Sequence, residues 1–210
     1  MSAEMVRGAG ALPLDLGDGV VLDLTSVTDA AEVFAVVDRE RDRLRQWLPW
    51  VDATVDVDIE RAYLAEIERA NATGAGLHAT IRDPGGPCGL VGLRIDQLHR
   101  RAEVGYWLSE RCVGRGIMFR AVAALFDMAV TELGMHRLEL LAATGNVRSR
   151  AVAERLGMIR EGVRREAELL SSGFVDLVLY AVLARDWPGA AAVTQAAAGS
   201  SGGGAQSPDR

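Results

Sequence analysis

The chain has 210 residues, enough for one domain with a sizeable core, and its apolar (49%) and charged (25%) shares are those of an ordinary soluble domain. A formal charge of −6 argues against a general nucleic-acid binder, which needs a positive surface. Two cysteines, Cys88 and Cys112, are too few for a disulfide framework. They read as idle buried thiols, and with His78, His99 and His136 on different segments the sequence suggests no metal site. No apolar run approaches the roughly 20 residues of a membrane span, and no signal-peptide pattern opens the chain. The expectation is a cytoplasmic protein with no membrane or nucleic-acid partner.

Residues 1–19 are rich in Gly, Ala and Asp and read as a partly flexible lead-in. Val20–Leu24 reads as the first strand. Residues 29–48 carry a helical apolar pattern that Pro49 ends, and residues 58–71 carry a second, stopped by Gly74 and Gly76. Strands at 77–81 and 88–95 flank Asp83-Pro-Gly-Gly-Pro87, turn chemistry that makes them a hairpin. A strand at 102–108 precedes a long helix at 116–133, with Gly134 as its stop. A strand at 137–142 leads to a helix at 146–156, with Asn146 as N-cap and Gly157 as stop. Strands at 158–165 and 174–183 close the domain around Ser171-Ser-Gly173. The Ala/Gly/Ser-rich stretch 188–210 reads as a disordered tail. The order β, αα, three β, α, β, α, ββ predicts one α/β (α+β) domain over 20–187, a mixed sheet with helices on both faces.

The segment Glu103-Val-Gly-Tyr-Trp-Leu-Ser-Glu-Arg111-Cys-Val-Gly114-Arg-Gly116-Ile-Met118 runs from an apolar strand through two glycines into a helix. A helix start of this kind presents free backbone N–H groups to a phosphate, and Arg111, Arg115 and Arg120 add positive charge. The six-residue GxGxxG of a dinucleotide site and the Lys-Ser/Thr of a triphosphate loop are missing, which lowers NAD and ATP as ligands.

Arg111-x-x-Gly114-x-Gly116 after Gly105-Tyr-Trp-Leu108 resembles the acetyl-CoA motif of the GNAT N-acetyltransferases, and more closely their RimL/RimJ branch, which acetylates protein N-termini. Trp47-Leu-Pro-Trp50, Asn146-x-x-Ser149 with Ala153-Glu-Arg-Leu-Gly-Met158, and Glu161-Gly162, Glu168 and Asp176-x-x-x-Tyr180 match that branch in order. The resemblance implies a strongly twisted sheet whose central strands splay around acetyl-CoA. It also implies direct transfer to a primary amine, with a homodimer among its consequences. Leu108, Val113, Gly114, Gly116, Ile117 and Met118 would hold the cofactor through backbone groups, with Arg111, Arg115, Arg120 and Asn146 beside them. The acceptor would be a protein N-terminus or, alternatively, a small-molecule amine; another acyl-CoA donor and a catalytically inactive binding module remain open as well.

Acetyl transfer needs a base for the ammonium, a donor for the carbonyl oxygen and an acid for the thiolate. The resemblance assigns Glu168 as the base, with Glu103 as its rival, and Ser149 as the acid. Trp47, Trp50 and Tyr106 would shape the acceptor slot, and no metal is called for. Each residue also has a plain structural reading: capping for Ser149 and Asn146, packing for the aromatics, a solvated carboxylate for Glu168.

Overall fold

The alternating apolar stretches become strands of one sheet in the computed structural model, which describes residues 12–200. They are β1 (Leu14–Gly17), β2 (Val20–Leu24), β3 (Gly76–Asp83), β4 (Gly86–Asp96), β5 (Arg101–Leu108), β6 (Arg137–Ala143), β7 (Ile159–Leu170) and β8 (Gly173–Leu183). Their spatial order is β1-β2-β3-β4-β5-β6-β8-β7. Neighbours are antiparallel except β5 and β6, which run parallel and pair only over Arg101–Val104 against Arg137–Leu140. Beyond Val104 the two strands part, and β5 from Gly105 to Leu108 keeps a ladder partner on its β4 side alone. An ionic ladder crosses the paired half: Arg94 to Glu103 at 2.6 Å, Arg101 to Glu139 at 3.8 Å, and Arg137 to Glu139 at 2.5 Å and to Glu161 at 2.9 Å.

Each face of the sheet has its own core. On one, α4 (Ile117–Thr131) and α5 (Val147–Arg155) cover the sheet, and α4 is apolar almost all round, the pattern of a buried helix. On the other, α1 (Ala30–Arg39) and α3 (Val57–Thr73) pack Val33, Val37, Leu64 and Ile67 against Leu90 and Trp107. The α3 N-terminus is capped by Asp56, whose carboxylate accepts from Asp58 and Ile59 N–H at 2.9 Å, and its C-terminus by Gly74 at φ 71°. His78 of β3 ties α3 to the sheet: its N–H donates to Asn71 Oδ1 at 2.8 Å and its carbonyl accepts from Asn71 Nδ2 at 3.1 Å. Its ring lies across Gly76 and Gly92, where a Cβ would come within 2.3 and 2.1 Å of ring carbons. Burial pushes this imidazole down to about 4, so it stays neutral at physiological pH.

Three sequence expectations change. The helix expected over 29–48 divides: α1 ends at Arg39, Glu40 leaves helical geometry, α2 (Arg41–Leu44) adds one turn, and a 3-10 turn follows at Pro49–Asp52. The lead-in contributes a strand, β1. The Ala-rich stretch expected to be disordered forms α6 (Ala190–Ser200), because it has an apolar site to dock on: Val193 is 7% exposed against α4. Asp127 of α4 accepts from Trp187 Nε1 at 2.6 Å and from Ala190 N at 2.9 Å, which fixes the helix start. The remaining lead-in and tail expectations, on residues 1–11 and 201–210, lie outside the described residues.

Glu60 shares the inward stripe of α3 with Leu64, Ile67 and Asn71 and is 1% exposed. Its Oε2 has no hydrogen-bond partner among the described residues, and burial pushes the carboxyl up from 4.5 to about 7. A folded pKa above the unfolded one means that folding favours the protonated acid, so stability falls as pH rises from 4.5 to about 7 and levels off above. Glu60→Gln should therefore gain on the wild type across that window, by up to about 3 kcal/mol, as read by denaturant unfolding at several pH values. A gain independent of pH would contradict this account.

Candidate active site

The free edge of β5 leads into the glycine turn. Ser109 ends the strand, and a single 3-10 turn follows, with Cys112 N donating to Ser109 O and Val113 N to Glu110 O, both at 3.0 Å. Gly114 (φ 82°) and Gly116 (φ 69°) then adopt left-handed backbone, which a Cβ would strain. A Cβ at Gly114 would meet no protein atom within 4 Å, so this side of the turn is open to an approaching anion. Gly116 caps α4 without a side chain, and the first helical bond runs from Arg120 N to Gly116 O at 3.1 Å. The amides of Ile117, Met118 and Phe119 precede it and point outward at the positive end of the helix dipole. These residues fit a pyrophosphate.

The three arginines do not act as one patch. Arg111 is committed to the protein: its guanidinium donates to both oxygens of Asp83 at 2.5 Å and to the carbonyls of Gly86 and Pro87 at 3.2 and 3.1 Å. It locks the turn onto the β3–β4 hairpin, a structural role beside the cofactor place expected for it. Arg115, more loosely placed 3.5 Å from Asp83, remains exposed. Arg120 closes the rear of the turn, bonding Arg115 O at 3.1 Å and Asp18 at 3.2 Å. Leu108, expected on the cofactor's amides, already accepts from Arg43 through its carbonyl at 2.7 Å.

Where β5 and β6 part, Tyr106 and Ser149 meet: their hydroxyls lie 2.9 Å apart. Ser149 owes its position to Asn146, whose side chain accepts from Ser149 N at 3.1 Å and caps α5, so the capping reading of Asn146 holds. Burial pushes the Tyr106 phenol up to about 12 against the opposing effect of the Ser149 bond, so it keeps its proton and can donate. The sequence read Tyr106 as part of the acceptor slot or as packing; the structure joins it to Ser149.

Glu168 sits beyond a bulge in β7, where register slips between Arg164 and Glu168. Glu166 takes a left-handed φ of 47° there, and its N–H is held by Asp176 at 2.8 Å. Burial pushes the Glu168 carboxyl up, and the negative charge of Glu103 adds to the shift. The two carboxylates are thus electrostatic neighbours, with Glu103 held by Arg94. Trp47 also reaches this end of the sheet, its ring 3.5 Å from where a Cβ of Gly145 would stand, and Ser171 of the β7–β8 tip donates to Arg45 O at 3.4 Å. Trp50 does not join it: its ring stacks on Tyr63 of α3, centroids 6.4 Å apart.

Sequence reasoning missed Asp83 and Glu40: Asp83 binds Arg111 far along the chain, and Glu40, paired with the nearby Arg43, also holds the distant Ser109 and Glu110. It also treated the cysteines in isolation. Both are buried as expected, but the fold brings Asp83 to them, with the three donor atoms within 4.8 Å of one another. Arg111 occupies that carboxylate, and burial pushes the Cys88 thiol up to about 12.

The Acetyltransferase (GNAT) domain family matches residues 20–159. YdaF of Bacillus subtilis (strain 168), provisionally described as a ribosomal N-acetyltransferase, is 32% identical over 176 residues, 83% of this chain and 96% of its own. The ribosomal-protein-serine acetyltransferase of Escherichia coli (strain K12) is 38% identical over 88 residues, 42% of this chain and 49% of its own. RimL, a ribosomal L7/L12 α-N-protein acetyltransferase solved with coenzyme A, shares the fold at a TM-score of 0.77 and 22% identity, over 80% of this chain and 96% of its own.

Asp83 is 7% exposed at its side chain, and its bonds from Arg111 outweigh burial to hold it down at about 2. A depressed carboxylate contributes stability above its unfolded pKa of 3.8 and loses it as pH falls through about 2. Asp83→Asn should cost about 1–3 kcal/mol at pH 7. Thermal unfolding should show the gap between variant and wild type closing as pH falls from about 4 towards 2; a gap unchanged at acid pH would sink the role given to this ion pair.

Proposed function

The chain belongs to the GNAT acetyltransferase family, and from that premise we propose that it transfers the acetyl group of acetyl-CoA to the α-amine of a polypeptide. The observation that carries the reading is the Tyr106–Ser149 hydroxyl pair, set at the parting of β5 and β6 beside a helix start with free amides. Acetyl-CoA supplies the activated thioester. The amides at Ile117 to Phe119 bind its pyrophosphate, and the open edge of β5 from Gly105 takes the amide groups of its pantetheine arm.

Glu168 takes the proton of the acceptor ammonium, because the free amine is the nucleophile. Its raised pKa makes it a stronger base than a solvated carboxylate, and Glu103 assists by charge while Arg94 holds it. The amine then attacks the thioester carbonyl, the C–N bond forms, and the C–S bond breaks. Ser149 gives its proton to the departing thiolate and is reprotonated by Tyr106, while the proton that the attacking nitrogen loses on becoming an amide passes to solvent and from solvent back to Tyr106. The polypeptide acceptor is supported by the names of the relatives. The reading includes a cytoplasmic homodimer, for which the exposed cross-strand pair Leu169 and Phe174 at the tip of the β7–β8 hairpin offers an apolar surface.

Acetyl-CoA should raise the melting temperature of the wild type by mass action, and peptides with free Ser or Ala N-termini should be acetylated in a screen that includes small amines. Glu168→Ala should cut turnover by about 10²–10⁴, more at neutral than at alkaline pH where the amine is already free. Acetylation of small amines alone would redirect the acceptor assignment, and a wild type without the thermal shift would remove the cofactor.

A second measurement concerns the pH profile. Activity rises with pH as Glu168 ionises, and the charge of Glu103 delays that ionisation. Glu103→Gln should move the acidic limb of kcat/KM to lower pH while leaving substantial turnover. A loss as deep as that of Glu168→Ala would instead make Glu103 the base.

A further inference from the structure

The single turn of α2 and the bend before it send side chains two ways. On one side Arg41 donates to the carbonyls of Val51 and Thr54, the latter at 2.7 Å, and so grips the segment 45–54, a strap that carries Trp47 and Trp50. On the other, Glu40 accepts from the Ser109 hydroxyl and from Glu110 N at 2.9 Å, while Arg43 donates to Leu108 O at 2.7 Å and to Glu40 at 3.1 Å. Ser109 is fully buried, and Glu40 is 12% exposed at its side chain. Burial alone would raise the Glu40 carboxyl, but the bonds from Ser109, Arg43 and Glu110 outweigh it, so the group is held ionised. These bonds end on the last residue of the open β5 edge and the first residues of the loop to the glycine turn. A displacement at Leu108–Glu110 is therefore passed to α2, and through Arg41 to the strap.

We propose that Glu40 and Arg43 are positioning residues that couple the two substrate sites: CoA seated along β5 and the glycine turn orders the Trp47–Trp50 strap before the acceptor docks. This rests on the turn being a CoA site. Neither side chain touches a reacting atom; each acts through the strand end it holds. Coupling of this kind is reciprocal, so acceptor and CoA should raise each other's affinity by the same factor.

Hydrogen exchange with CoA as the probe separates the links. In the wild type CoA should protect residues 113–120 and also 45–54. Glu40→Ala and Arg43→Met should keep protection at 113–120, which reports folding and CoA binding, and lose it at 45–54. Glu40→Gln, which retains an acceptor for Glu110 N and a partner for the Ser109 hydroxyl, should recover most of it. The dissociation constant of an acceptor peptide should fall about fivefold or more on adding CoA to the wild type, and hardly change in the two disrupting variants. Protection confined to 113–120 in the wild type, or kept at 45–54 in both disrupting variants, overturns the coupling. Wild-type protection at neither segment overturns the CoA reading and the coupling with it.

Discussion

Everything at the site follows from how little β5 and β6 pair. Two parallel strands share a ladder over Arg101–Val104 and Arg137–Leu140 and then separate, which leaves a row of backbone groups unpaired in the interior of a sheet. Such groups are costly unless something bonds them. One end of the gap is held shut by the Arg101–Glu139–Arg137 ladder, and the other is filled from the side by the Tyr106–Ser149 pair. What remains between them is an extended edge waiting for a strand-like partner, at the point where the glycine turn collects free amides.

The charges around this gap divide into holders and workers. Arg111 with Asp83 and Arg43 with Glu40 are tied to each other, so each fixes a segment and has little field left to offer a ligand. Among the described residues Glu168 has no such partner; burial and a like charge both work against its ionisation. A carboxylate that has been denied a cation is the one suited to accept a proton.

Much of this was legible in the sequence because it is local. The glycine turn, the Asn146 cap and the strand before the turn are written within a few residues of one another, and periodicity placed the sheet and its main helices. The splitting of the first helix was not legible: nothing in Arg39-Glu40-Arg41 breaks a helix, and the break is imposed by bonds from Glu40 to Ser109 and Glu110, seventy positions away. The tie of Arg111 was hidden for the same reason, since a positive charge beside a phosphate-binding turn looks free until the fold supplies Asp83. Composition misled at Ala190–Ser200, where an Ala-rich stretch becomes ordered only because Asp127 and the back of α4 give it somewhere to dock. Pairings distant in the chain leave no local trace, and they decide which charges remain available.

The crossing of His78 over Gly76 and Gly92 carries a consequence for how the sequence can drift. The two glycines on β3 and β4 are empty because an imidazole fills the space where their side chains would be, within 2.3 and 2.1 Å. Neither glycine can gain a side chain while His78 stands, and a smaller residue at 78 would leave a void above both. The three positions form an epistatic unit: the order in which substitutions arrive matters, His78 must shrink first, and along the way α3 loses the His78 Nδ1 contact to Asn71 Oδ1 at 3.2 Å while its bonds to the His78 backbone persist.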